Sequence, residues 1–448
     1  MGSNSAGNEA DHVIQVWEVN KDRLAAMQQK ISTKPKLLSL SAGRSSCCIF
    51  RVPQTLIDIN GRSYQPHVVS IGPLHRGEPH LETIQEHKWR FLGGMLNRTQ
   101  SKGLSLEDCL TAIQPLEMRA RECYSETLSL DANEFIEMLV LDGCFLIELL
   151  RKIGKVVPFE RDDPFISMSW VYSFFSRDLI RLENQVPFFI LQRLFDLSQM
   201  PGEKSGHSLT QLALDFFNYS LQRPEHVIGK YTGLQPKHLL DLLRSTFLPQ
   251  EENKPKASNG VPSHVIQSIS NLRRAGIQLR PGRKEDSFLV VKFKRGVIEM
   301  PKIAIDDFMS CFMINCIAFE QCHKNCSTHF TTYATLLDCL MNTSKDVGYL
   351  CERSIIENYF GTDLEVANLI NNLGKDVSFD IDQSYLANLF NDVNQYYKNN
   401  WHVYWAGFVY TYFSSPWSFI SVLAAIVLLV LAVIQTYYTV VGYVRPKP

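Results

Sequence analysis

Four histidines and three glutamates share one short stretch of this chain: His67, His75, His80 and His87, with Glu78, Glu82 and Glu86. Imidazole and carboxylate side chains together can hold a metal or move protons near neutral pH. His75 and His87 are the members that would carry a catalytic role. No pair has the i, i+4 histidine spacing of a helical metal site, so hydrogen-bonded loop histidines are the plainer reading. A second constellation is CIAFEQCHKNCSTHF (316–330), which holds Cys316, Cys322, His323, Cys326 and His329. Zinc takes four nitrogen or sulfur ligands, which would be Cys322, His323, Cys326 and His329. Their C-x3-C-x2-H order is not that of a zinc finger, and the segment starts inside an apolar helix. Neither a metal nor a cofactor is therefore expected. Phosphate loops, dinucleotide fingerprints, nucleophile elbows and H-E-x-x-H helices are all absent from the sequence.

A third group is polar residues set among apolar ones. EFIEMLVLDGCFLIELLRK (134–152) is apolar almost all round, the pattern of a buried helix. Asp142 falls in its apolar stripe, and a buried carboxylate needs a partner. The stretch RDLIRLENQVPFFILQRLFDLS (177–198) offers Arg177 and Arg181, with Glu183 and Asn184 just before Pro187. The expectation is a buried polar network of Asp142, Arg177, Arg181 and Glu183, with Asp142 paired to Arg177 or Arg181. Pro187 must kink or split the helix that carries them.

The elements around these residues are mostly helical. Residues 12–31 can form an amphipathic helix, with Val13, Trp17, Leu24, Met27 and Ile31 near one face. CCIFRVP (47–53) and HVVSIGP (67–73) read as short strands ended by proline and glycine. Residues 81–96 read as a helix, and Asp131 with Glu134 resembles a capping box. SFLVVKFKRGVIEMPKI (287–303) reads as two strands about a turn at Lys294, Arg295 and Gly296. Helices dominate from 306 to about 397. The fold expected is mainly α, with a few short strands or hairpins. It divides into an N-terminal extension (1–45), a helical lobe (46–250), a loop (251–262), a second helical lobe (263–412), a membrane helix (417–441) and a short tail (442–448).

The membrane helix is the plainest of these. Residues 417–441 contain no charge, and about 20 apolar residues span a bilayer core as a helix. Aromatic residues stand on both sides of it: Trp401, Tyr404, Trp405, Tyr410, Tyr412, Phe413 and Trp417 before, Tyr437, Tyr438 and Tyr443 after. No signal peptide is read at the start of the sequence, so the main domain is expected in the cytosol, at the plasma membrane or an endomembrane. Arg445 and Lys447 argue for the opposite orientation. Composition bounds the rest. The chain is 45% hydrophobic and 20% charged with a net charge of −1, which argues against a nucleic-acid binder. The basic run Arg273, Arg274, Arg280, Arg283, Lys284, Lys292, Lys294 and Arg295 reads as a solvated face, with anionic lipid as the rival contact. Eleven cysteines without a C-x-x-C pair fit a reducing compartment. Sequons begin at Asn97, Asn218, Asn325 and Asn342.

FRVPQTLIDINGRSYQPHVVSIGPLHRGEPHL (50–81) followed by QEHKWRFL (85–92) resembles the opening signature of a plant family, domain of unknown function 247, also called uncharacterised protein family 0481. Further motifs follow in the same order: 134–152, 177–197, HLLDLLRSTFLP (238–249), FKRGVIEMPKIAIDD (293–307), IAFEQCH (317–323), DCLMNTSKDV (338–347) and the terminal apolar run. The resemblance implies a mostly helical domain with a C-terminal membrane segment, and no assigned activity. Some grass members are proposed as male determinants of pollen self-incompatibility. Asp142, Glu183, Asn184 and Glu320 match the family's motifs, without assigned roles. These readings favour a membrane-anchored protein that binds a protein partner over an enzyme. The alternatives are an enzyme with a site near His67 to His87, or a structural assembly subunit.

Overall fold

A computed structural model of the protein describes residues 20–33, 35, 38–161, 163–200, 207–249, 265–398 and 416–444. Helices α1 (Lys21–Ser32), α2 (Gln54–Asn60), α3 (Glu82–Thr99), α4 (Leu106–Ile113), α5 (Glu117–Arg121) and α6 (Ala132–Ile153) come first. Next are α7 (Pro164–Ser167), α8 (Ser169–Asp178), α9 (Phe188–Ser198), α10 (Leu209–Leu221), α11 (Glu225–Ile228) and α12 (Leu239–Ser245). Then follow α13 (Ile269–Arg274), α14 (Asp307–Cys322), α15 (His329–Leu340), α16 (Ser344–Glu352), α17 (Asp363–Leu373), α18 (Ala387–Tyr397) and α19 (Pro416–Val444). The protein is mainly helical, as its periodicities predict.

Helix α6 is the axis of the first half. Its capping box forms as expected: the Glu134 N–H donates to Asp131 at 2.9 Å, and the Asp131 N–H donates to Glu134 at 3.1 Å. It is apolar on every side because α3, α4, α9 and α10 all pack against it. Helix α14 plays the same part in the second half, buried from Phe308 to Glu320 and capped by Asp306. It packs on α8, α12, α15 and α17 and on the 61–64 turn, so both halves meet at it. One contiguous apolar core runs from Cys47 to Val393. The expected inter-lobe loop, 251–262, lies outside the described residues.

Short strands complete the body. β1 (Gln278–Pro281) pairs in parallel with β3 (Val297–Met300), and β2 (Lys292–Lys294) pairs antiparallel with β3. The β2–β3 turn carries Arg295 at φ 49° and Gly296 at φ 77°, the two left-handed residues of a tight hairpin turn. β4 (Ile303–Ile305) pairs in parallel with β5 (Ile356–Asn358).

Two expected strands are not strands. Segment 47–53 makes a single bridge, between Ile49 and Tyr124, and 67–73 has no strand partner. Both are extended straps: 47–53 bonds the backbone of Cys123 and Ser125 and then the side chains of Ser125 and Glu183, and 67–73 finds side-chain partners. The amphipathic helix begins at Lys21 under an Asn20 cap, and its residues Leu24, Met27 and Ile31 are exposed. Residues 12–19 of that expectation lie outside the described residues, as do the aromatics from 401 to 413. Within α19, Ile420–Val441 is long and apolar enough to cross a membrane, and none of it is buried against the body. Twenty-two helical residues reach about 33 Å, against a hydrocarbon core of about 30 Å.

Candidate functional site

The chemistry-bearing residues converge where α8 gives way to α9. Pro187 offers no N–H and starts α9, so the expected split occurs and 179–186 becomes a buried non-helical turn. The turn's side chains, with Asp178 before it, face the 67–75 strap. Asp178 accepts the N–H groups of His67 at 3.0 Å, Val68 at 2.7 Å and Val69 at 3.0 Å. Asn184 accepts the Ile71 N–H at 2.6 Å and donates to the Val69 carbonyl at 3.0 Å. Asp142, from α6, accepts the Gly72 N–H at 2.8 Å. A strand would have bonded these donors to a neighbouring strand; here carboxylates and an amide take them. That substitution satisfies buried backbone without a sheet.

A second cluster holds the end of this strap against the 47–53 strap. Glu183 is almost fully buried and accepts from the Val52 N–H at 2.7 Å and from Arg51 at 3.2 Å. His75 lies between two carboxylates, with Nε2 2.7 Å from Glu183 and Nδ1 2.6 Å from Glu78. Carboxylate oxygens accept and do not donate, so both contacts are hydrogen bonds when the ring carries both protons. Arg51 also forks onto Glu126, at 3.2 Å from each nitrogen used.

The partner of Asp142 is not the expected one. It is Lys88 of α3, at 2.5 Å, with both side chains almost completely buried. Lys88 also donates to the Ser70 carbonyl. Arg181 binds Asp178 at 3.0 Å and donates to the Arg62 and Ser63 carbonyls and towards His67 Nδ1. Arg177 points elsewhere, to the exposed Asp307 at 3.3 Å. The expected network therefore divides in three: Lys88–Asp142, Asp178–Arg181 and Glu183–His75–Arg51. Lys88 was hidden because it sits among the aromatic and charged residues of EHKWR, where a lysine reads as a surface residue. The signal for Asn315 was stronger, a lone amide inside an apolar helix. It accepts the Leu182 N–H at 2.9 Å and donates to the Ser63 and Cys311 carbonyls.

The four histidines do not converge on one point: His75 lies between Glu78 and Glu183, and the others have their main contacts elsewhere. His67 faces Arg181, and burial holds its ring below the ordinary histidine range. His80 bonds the Pro66 carbonyl at 3.2 Å, and His87 packs on Phe165 with ring centroids 5.0 Å apart. Among the described residues no three His, Cys, Asp or Glu side chains come together to hold a metal ion. In the second constellation, Lys237 donates to His323 Nε2 at 2.6 Å, and His329 stacks on Tyr385 at 4.4 Å. Burial pushes the thiols of Cys322 and Cys326 up to about 12. Glu320 of the F-E-Q-C-H motif instead holds Arg244 at 2.8 Å and accepts the Phe330 and Thr331 N–H groups. Burial raises its carboxyl, and the Arg244 charge and these donors pull it back.

These polar residues span the segments that carry the sequence motifs, and the comparisons place the same span. The family described as plant protein of unknown function, DUF247, matches residues 49–431. The chain belongs to this family. Within it, UPF0481 protein At3g47200 of Arabidopsis thaliana is 39% identical over 439 residues, covering 93% of this chain and 91% of that protein. Putative UPF0481 protein At3g02645, from the same plant, is 22% identical, covering 87% and 89%. No solved structure matches. Asp142, Glu183, Asn184 and Glu320 all lie within the matched span, and each holds backbone or a buried cation in place.

Proposed function

We propose that the protein is a non-catalytic recognition module, tied to a membrane by α19, that binds a protein partner through its surface. The observation that carries this reading is the saturation of the polar centre. Asp178, Asp142, Glu183, Asn184 and Asn315 are all engaged by donors of the chain itself. A catalytic acid, base or ligand needs a face open to substrate. In this centre the solvent reaches chiefly Arg51 and Glu78, the outermost members. The exposed apolar length of α19 supports the tether, and the body is read as facing the cytosol.

The surface offers one place suited to a partner. Trp89 and Leu106 are exposed at a groove of about 390 Å3 lined by Leu92, Leu110, Ile136 and Val140. Exposed aromatics beside apolar pockets commonly anchor protein interfaces. The test is proximity labelling in plant cells from the N-terminus, combined with alkaline carbonate extraction. The expected result is extraction resistance that disappears without 416–444, a set of cytosolic membrane neighbours, and loss of specific neighbours in Trp89→Ala. The same neighbours should persist in His87→Phe. Lumenal neighbours would reverse the orientation, and a carbonate-soluble full chain would sink the tether.

A further inference from the structure

A cavity of about 500 Å3 lies away from the polar centre, between the 223–231 turn, residues 285–293 and the start of α18. Its volume is that of a small-molecule site. Val227, Leu289, Val291, Leu386 and Leu389 form buried apolar walls. Polar side chains share the lining, among them Lys230, Tyr231, Glu285, Asp286, Lys292 and Asp392, and the half-buried cation is Arg223. Its guanidinium lies over the Phe247 ring at 4.3 Å and donates to Thr246 Oγ1 at 2.8 Å and to the Thr246 carbonyl at 3.0 Å. No carboxylate pairs with it among the described residues.

The contrast with the other deep cations is sharp. Lys88 has Asp142, Arg151 has Glu148, Arg181 has Asp178 and Arg244 has Glu320. The acids around the cavity are engaged or outlying: Asp286 pairs with Lys292 at 3.3 Å, Glu285 faces His226 at 3.7 Å, and Asp392 is exposed at the rim. Lys230, also at the rim, is exposed. Burial draws Arg223 below the ordinary arginine value, the mark of a cation that has lost water without gaining an anion. A charge in that position gains from an anion supplied from outside.

We propose that this cavity binds a small aromatic carboxylate, with Arg223 on the carboxylate and the apolar walls on the ring. The planar guanidinium matches a carboxylate in a two-point contact. Arg223 is half-buried and has no acid among the described residues, while Lys230 and Lys292 are exposed, so one negative charge suits the site better than a phosphate dianion. The buried part of the wall accommodates an apolar ring, and the rim is polar, with Lys230, Glu285, Asp286, Lys292 and Asp392. The inference stands apart from the partner-binding reading and does not depend on the tether.

The experiment is calorimetric titration of the full chain in detergent micelles with 2-naphthoate and with its neutral isostere 2-naphthamide, each corrected by a micelle blank. We expect one saturable site that prefers the acid by roughly ten- to a hundredfold, the worth of a hydrogen-bonded charge. Arg223→Gln should reduce that preference to near unity. Leu389→Trp, which fills the opposite wall without touching the cation, should block both compounds. Equal affinity of the wild type for acid and amide, a preserved preference in Arg223→Gln, or undiminished binding in Leu389→Trp would overturn the assignment.

Discussion

Removing the carboxylate of Asp142 should be among the costliest single changes in this protein, and the reason is Lys88. The pair sits at 2.5 Å with the lysine side chain 2% and the aspartate 3% exposed. In Asp142→Ala the ammonium keeps only the Ser70 carbonyl, and the Gly72 N–H loses its acceptor. Breaking a buried pair from one side costs about 3–5 kcal/mol because it leaves an uncompensated charge. Removing both charges is different. Lys88→Met with Asp142→Leu leaves no buried ion. The Gly72 N–H is orphaned in both variants, so the comparison is a stranded ammonium at about 3–5 kcal/mol against a Ser70 carbonyl at about 1–3 kcal/mol. The double variant should therefore unfold at a higher denaturant concentration than Asp142→Ala alone. Arg177→Gln is the control: its pair with the exposed Asp307 should contribute about 0–1 kcal/mol. The assay is the urea midpoint by far-UV circular dichroism of the full chain in micelles. The reasoning fails if the double variant is no more stable than Asp142→Ala, or if Asp142→Ala behaves like Arg177→Gln.

Three further outcomes follow from the same geometry. Burial holds His238 and His329 down to about 4, below the ordinary 6.5. A depressed folded value means stability is complete above about pH 6.5 and is lost as pH falls towards 4, by up to about 3 kcal/mol per ring. Neither ring nitrogen of His329 has a hydrogen-bond partner, so His329→Phe should flatten part of that loss between pH 7 and 4.5. An equal loss in variant and wild type would count against it. Gly72→Ala should cost about 1–3 kcal/mol in the same urea assay. Its φ is +81°, and an added Cβ would lie 2.5 Å from the Gln185 carbonyl. An unchanged midpoint would refute that contact. Glu183→Ala should raise hydrogen exchange at 47–53 and 67–75 more than elsewhere, since the residue bonds both straps. Uniform exchange across the chain would speak against the clamp.

Much of the architecture was legible where a pattern has one physical solution. An uncharged 25-residue run, an apolar-all-round helix behind a capping box, and a proline inside a helical pattern each led to the element observed. The straps misled for an equally physical reason. HVVSIGP has the composition of a strand, because what it needs is an extended backbone with paired N–H groups. Sequence does not say whether the partner is another strand or the Asp178 carboxylate more than a hundred residues away. The ion pairs were half legible. Asp142 announced itself as a charge in an apolar face, whereas Asn315, an amide in the same kind of setting, went unread. Their partners gave no signal, since a lysine or a turn carbonyl looks the same in sequence whether it is exposed or clamped.

The division between the polar centre and the Arg223 cavity bears on where function resides in this family. Asp142, Glu183, Asn184 and Glu320 each accept backbone N–H groups of the same chain, and Asp142 and Glu320 also hold a buried cation. A residue used that way fixes how the backbone beside it lies. Arg223 is the reverse, a half-buried cation on a cavity wall with no acid of its own. It lies outside the motif stretches. In this chain, then, the recognisable motifs trace what the fold requires, and binding chemistry is to be sought where a charge remains unmatched.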